Sequence, residues 1–153
     1  MKTEMQVLDR LAATIASQIA NHFSEDDGGG DLGPVGEQNI SIDFPDVDSM
    51  RKNTMFYIQP DYENLEDLSM SSDLATMHVT LFILCKGASS EKLVRRVFGY
   101  YTALYVLVRG NQTLDGFIDF ARITDMDYYP AVTASATVTA MEISLQLQWS
   151  KDF

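Results

Sequence analysis

The chain has 153 residues, of which 46% are hydrophobic and 22% charged, which predicts one soluble domain with its own hydrophobic core. Its net charge of −11 argues against binding of the nucleic-acid backbone, which requires clustered Lys and Arg. No apolar run is long enough to span a bilayer, and the single cysteine excludes an intramolecular disulfide framework and predicts an intracellular protein.

The first predicted element is an amphipathic helix over residues 3–23. Its apolar residues recur at steps of three and four: Met5, Leu8, Leu11, Ala12, Ile15, Ile19 and Phe23. Glu4, Asp9 and Arg10 interrupt the apolar content of this segment, so a signal peptide is not expected. The next segment, 24–38, is rich in glycine and acidic residues, which predicts a flexible loop.

Three strands are predicted next, at 40–44, 55–60 and 74–85. The first and third show apolar residues at every second position, and prolines are expected to end the first two strands. The polar segment 61–73 between the second and third strands is interpreted as a connection. Short turns of this kind favour antiparallel pairing.

A second helix is predicted from Ser89, its N-cap, to Arg109. A strand region at 114–130 and a regularly alternating strand at 141–149 follow. The element order α-β-β-β-α-β-β predicts an α+β fold in a single domain, residues 1–153. Its sheet is expected to be antiparallel or mixed, with about five strands and both helices packed on one face.

The second helix has an unusually wide apolar stripe, which includes the uncharged run YYTALYVLV at 100–108. One packing face needs roughly 100° of the helical wheel, and this stripe covers more. Two interpretations remain open: a central core helix, or a helix used partly for self-association. Gly99 and Ala103 are predicted on the opposite side, where their small size would let another backbone approach.

No short catalytic or cofactor-binding motif is present, so we predict neither an enzyme nor a cofactor. His22 is interpreted as a packed or capping residue at the end of the first helix, His78 as a surface residue and Cys85 as a core residue. Asp43, Asp46 and Asp48 are either turn-forming residues or ligands of a hard cation. Their spacing does not match an EF-hand loop, and turns are favoured.

The chain as a whole resembles the tail terminator proteins of long-tailed bacteriophages. The resemblance lies in the element order, in the second helix opened by SSEKLVRRVFGYYTAL, and in the ending DYYPAVTASATVTAMEISLQLQW. The acidic, cysteine-poor and motif-free composition adds to it. The resemblance covers nearly the whole chain, although no short motif is shared.

This resemblance implies a structural virion protein of the tail or neck, assembled in the host cytoplasm. Its subunits would form a homo-oligomeric ring, typically a hexamer, at the head-proximal end of the tail tube. The ring would stop polymerisation of the tail-tube protein and offer a joining surface to a head-closure protein. The genome would pass through its acidic lumen without specific binding, and no membrane would be involved.

Candidate subunit contacts are the loops 24–38 and 62–73, the basic side of the second helix, and the strand edge near 117–123. The individual candidates are Asp26, Asp27, Asp31, Arg95, Arg96, Gly99, Ala103, Phe117, Asp119 and Ile123. Two alternatives remain: another neck component, such as a head-completion or head-closure protein, and a soluble metal-dependent enzyme or small-ligand binder that uses the three aspartates at 43, 46 and 48.

Overall fold

The computed structural model describes residues 1–24, 32–87, 89–130 and 137–153. Three of the acidic candidate residues, Asp26, Asp27 and Asp31, lie outside these ranges. The interpretation of 24–38 as a flexible loop therefore falls largely outside the described residues.

The described residues include two α-helices. Helix α1 spans Glu4–Gln18 and continues as a 3-10 turn over Ile19–His22. Thr3 caps α1 through a capping box, which satisfies two of the free N–H groups at the start of the helix. Helix α2 spans Ser90–Gly110. The predicted N-cap, Ser89, is confirmed, because its side chain accepts a hydrogen bond from the N–H of Lys92.

Five strands form one mixed sheet, which confirms the predicted α+β class. They are β1 (Ile40–Ser41), β2 (Thr54–Ser69), β3 (Ser72–Gly87), β4 (Phe120–Tyr129) and β5 (Thr137–Asp152). Their order across the sheet is β1-β2-β3-β5-β4. Strand β1 pairs parallel to β2, and the other three pairings are antiparallel.

Strand β2 is much longer than predicted. It does not stop at Pro60 but runs to Ser69, so that residues 61–69 form the outer half of the strand rather than a connection. A turn at Met70 and Ser71 leads directly into β3. The ladder adjusts with a register shift between Pro60 and Tyr62. Proline is tolerated here because an edge strand can place the missing N–H on its unpaired side.

The segment 114–119 was predicted as a strand and is instead a tight turn before β4. Leu114, Asp115 and Gly116 all have positive φ angles of 49°, 61° and 81°. Asn111 Oδ1 accepts a hydrogen bond from the Asp115 N–H at 2.8 Å and holds this unusual backbone. Leu114 is buried in the main core, so its side chain anchors this turn to the rest of the domain.

Several other strand limits also differ from the prediction. Strand β1 ends at Ser41 rather than 44, and β5 begins at Thr137 rather than 141. The extra residues of β5 continue its ladder with β3 as far as the Gly87–Thr137 pair.

Both helices pack on one face of the sheet and form a single main core. The alternation predicted for β5 is confirmed, since every second residue from Met141 to Trp149 is buried in this core. Trp149 is 1% exposed, and its indole N–H donates to the carbonyl oxygen of Lys2 at 3.1 Å. This contact fixes the start of α1 against the sheet.

The opposite face of the sheet carries a smaller apolar cluster of Met55, Tyr57 and Leu84 near one end. Further along, its residues are half-exposed and polar, among them Thr76, His78 and Gln148. The helices therefore cover one face, and within the described residues no helix covers the other.

Candidate functional site

Two of the three aspartates considered as cation ligands accept hydrogen bonds from nearby backbone N–H groups. Asp43 Oδ1 accepts from the N–H of Phe44 at 2.7 Å, and Asp46 Oδ1 accepts from the N–H of Asp48 at 3.1 Å. In the described parts of the chain, no three His, Cys, Asp or Glu residues are grouped so that they could hold a metal ion. This geometry favours the interpretation of the aspartates as turn-forming residues.

The two histidines lie far from each other in the fold. His22 is the last residue of the 3-10 turn after α1. His78 lies on the open face of β3, where its ring stacks on Tyr62 with 4.2 Å between the ring centroids. Asn64 Nδ2 is 3.4 Å from His78 Nε2. Neither histidine is placed beside Cys85 as a catalytic pair would require.

Cys85 is fully buried in the main core, as predicted. Burial raises the pKa of its thiol to about 12, although Thr54 and the positive charge of Arg96 oppose the shift. A nucleophilic cysteine needs a lowered pKa and access to solvent. Cys85 has neither, so it acts as a small core residue.

We therefore expect the native protein to resist a thiol reagent such as 5,5′-dithiobis(2-nitrobenzoate) at pH 8. Because the pKa is raised in the folded state, the contribution of Cys85 to stability is complete below about pH 9 and is lost as the pH rises toward 12. Absorbance at 412 nm would follow the reaction, with the urea-unfolded chain as the fully reactive control. Rapid modification of the folded chain would contradict the burial of Cys85.

Helix α2 has two apolar rows instead of one wide buried stripe. The first row faces the core: Leu93, Val97, Tyr100, Ala103, Leu104, Leu107 and Val108 are buried. The second row comprises Val94, Phe98, Tyr101 and Tyr105, which are only partly buried or exposed. Phe98 lies against Tyr128 of β4, with ring centroids 5.1 Å apart. We call this second row, together with Tyr128, the aromatic flank.

The prediction that Gly99 and Ala103 face outward is wrong. Ala103 is fully buried, and Gly99 is also buried. A Cβ at Gly99 would lie 3.0 Å from Leu32 Cδ1. The small size of Gly99 thus admits a side chain of the same molecule, and this part of α2 is already covered.

Two sheet edges are unpaired in the part of the chain that the structure describes. Strand β4 pairs only with β5 along its whole length. Strand β2 pairs with β1 only at Phe56 and Tyr57, so its outer half pairs only with β3. Tyr62, Leu65 and Leu68 in this outer half are exposed. Unpaired N–H and C=O groups of edge strands are templates for pairing with another chain.

The remaining predicted contact residues lie near the β4 edge. Phe117 is half-buried, and the side chains of Lys2 and Arg10 lie over its ring, at 4.9 and 4.4 Å from the centroid. Asp119 is exposed and accepts a hydrogen bond from Ser150 Oγ at 3.2 Å. Ile123 is half-buried within β4. Phe117 is thus held by its own chain, whereas Asp119 remains accessible.

The neighbouring arginines Arg95 and Arg96 have different surroundings. Arg95 is exposed and forms an ion pair with Glu91 at 3.5 Å. Arg96 is half-buried, and its Nε atom is buried without a hydrogen-bond partner among the described residues. Residue type and spacing do not distinguish these two positions. They differ because residues 33–34 and 52–54 pack around Arg96.

Within the described segments, neither helix combines the length and the apolar character that crossing a membrane would require. Comparison with protein-family models and with curated proteins finds no match to this chain.

Proposed function

We propose that this chain is a structural virion protein of the phage tail terminator type. Its subunits assemble head-to-tail into a closed ring, a hexamer, at the head-proximal end of the tail tube. The ring ends polymerisation of the tube and presents a joining surface to the neck. The sequence resemblance suggests this role, and the arrangement of the sheet supports it.

The observation that carries the proposal is the presence, among the described residues, of two different unpaired edges on one sheet. The outer half of β2 and the whole of β4 are separated by β3 and β5, so they lie on opposite sides of the domain. A contact between unlike patches generates a ring when the rotation between subunits closes. Pairing of the β4 edge with the β2 edge of the next subunit would satisfy main-chain groups on both.

The aromatic flank supports the same assembly. It lies beside the β4 edge, because Tyr128 belongs to that strand and contacts Phe98 of α2. Aromatic residues are enriched in the cores of protein interfaces, and apolar surface removed from water contributes about 25 cal/mol per Å². A subunit that pairs with β4 would also cover this flank. Pairing of the strand edges would then set the register between neighbouring subunits. Burial of the aromatic flank would stabilise their association.

The charge of the chain is compatible with a conduit for DNA. At a net charge of −11, a ring of such subunits repels phosphate groups over the distance set by ionic screening. A passing genome would then not adhere to the ring.

Size-exclusion chromatography with light scattering, followed by negative-stain electron microscopy, tests the proposed assembly. The expected result is a mass of six 17.1-kDa subunits and closed rings in the images. A chain that stays monomeric both alone and with its tail-tube protein would rule out the ring.

A further inference from the structure

A cavity of about 270 Å³ lies beside the first half of α2. Its walls come from four places in the chain: Gly33 and Pro34, Asn39, the segment 52–54 that leads into β2, and Arg96 with Tyr100 of α2. Two of these residues, Lys52 and Arg96, are cationic. Among the described residues that line it, none is acidic, although acidic residues outnumber basic ones two to one in the whole chain.

Both cations lack an ionic partner among the described residues. The ion pairs there involve Arg95 and Lys151, and neither Lys52 nor Arg96 takes part in one. Arg96 Nε is in addition buried without a hydrogen-bond acceptor. A buried charged donor that has lost its water is costly unless an acceptor replaces that water. The buried Nε–H group of Arg96 is therefore a hydrogen-bond donor without an acceptor among the described residues.

Several polar groups of the cavity wall bond to one another. Asn39 Nδ2 donates to the carbonyl oxygen of Thr54 at 3.0 Å, and its Oδ1 accepts from the N–H of Gly36 at 3.0 Å. The Tyr100 hydroxyl donates to the carbonyl oxygen of Gly33 at 2.9 Å. These bonds fix the wall, and none of them is made to Arg96.

We infer that this cavity is an oxyanion site, in which Arg96 and Lys52 together bind a carboxylate or phosphate group. A guanidinium group presents paired N–H donors that match two oxygens of such a group, and an ammonium group adds a second positive charge. The cavity is open to solvent through the exposed Lys52. The inference is independent of the proposed ring, because it depends only on the surroundings of Arg96.

Two sources of the oxyanion are to be distinguished: free phosphate, or a carboxylate of this same chain. The acidic residues Glu25, Asp26, Asp27 and Asp31 precede Gly33 closely in sequence. Their replacement by the corresponding amides removes those carboxylates without changing the described walls of the cavity.

The test is a titration of the full-length chain with inorganic phosphate at constant ionic strength, followed by the NMR signals of the arginine Nε–H groups and by the melting temperature. We expect a saturable shift of the Arg96 signal and a rise in melting temperature that chloride does not reproduce. Arg96→Gln and, separately, Lys52→Gln should weaken binding roughly 10-fold or more, as expected for loss of a charge-assisted hydrogen bond. Arg95→Gln is the matched control and should bind as the wild type does.

The amide variant of residues 25, 26, 27 and 31 identifies the source. Tighter phosphate binding in this variant would mean that the chain's own carboxylates occupy the site, and unchanged binding would identify free phosphate as the occupant. The inference is overturned if neither the wild type nor the amide variant responds to phosphate more than to chloride. It is also overturned if Lys52→Gln, at an exposed position compatible with folding, and Arg96→Gln both respond like Arg95→Gln.

Discussion

A chain that carries both Phe98→Glu and Tyr105→Glu is expected to remain folded but to lose its ability to assemble. Both side chains belong to the aromatic flank and are about 40% exposed, at 37% and 44%, so glutamate is tolerated in the isolated subunit. In the assembly each glutamate would be a buried, unpaired charge. If each aromatic contributes about 2 kcal/mol as an interface anchor, association weakens roughly 1,000-fold.

Light scattering over a range of protein concentrations measures this effect, with circular dichroism as the check on folding. Met5→Glu is the matched control, because Met5 is an exposed apolar residue of α1 and is not part of the aromatic flank. The control should assemble as the wild type does. A double variant that still assembles normally would exclude the aromatic flank from the interface.

Trp149→Ala is expected to lower the free energy of unfolding by about 3–5 kcal/mol. This is a large share of the 5–15 kcal/mol that stabilises a typical domain. Trp149 is among the largest fully buried side chains and also bonds to the main chain at Lys2. Its removal leaves a cavity between β5 and the start of α1 and an unpaired carbonyl oxygen.

Urea unfolding monitored by circular dichroism gives this difference. Trp149→Phe separates the two contributions, because it keeps most of the buried ring and loses only the indole N–H. We expect a smaller loss for phenylalanine than for alanine. A loss below about 1 kcal/mol for Trp149→Ala would contradict its place in the core, since large-to-small core substitutions of aromatic residues cost several-fold more.

The sequence was sufficient to predict the order of the elements and the faces of the central strands. In β3 and β5 both neighbours are strands, so only the two faces differ in environment. Residues therefore alternate between core and surface over 75–83 and 141–149. Positions such as Leu81 and Leu145 could therefore be assigned to the core from their spacing alone. Their burial is confirmed.

The edges of the sheet were harder to predict. The outer half of β2 is exposed and polar, so it lacks the alternation that marks a half-buried strand, and Pro60 suggested an end that the edge position does not require. At 114–119 the apolar residues suggested a strand. The signal for a turn was present in Asn111 and Thr113, whose side chains accept hydrogen bonds from the backbone at Asp115 and Gly116.

The candidate contact residues depend on tertiary packing that periodicity does not encode. Gly99 appeared suited to a neighbouring backbone, yet Leu32, distant in sequence, occupies that space. Arg95 and Arg96 looked equivalent, and only the cavity beside α2 distinguishes them. Residues at a subunit interface and residues buried by their own chain can have the same local sequence pattern.

The most direct test of the proposed function is polymerisation of a phage tail-tube protein in the presence of this chain. We predict that tubes stop growing when the chain is added and that electron micrographs show a ring at one end of each tube. Addition of the Phe98→Glu, Tyr105→Glu variant should leave growth unchanged. If the wild-type chain neither shortens the tubes nor appears at their ends, it is not a tail terminator.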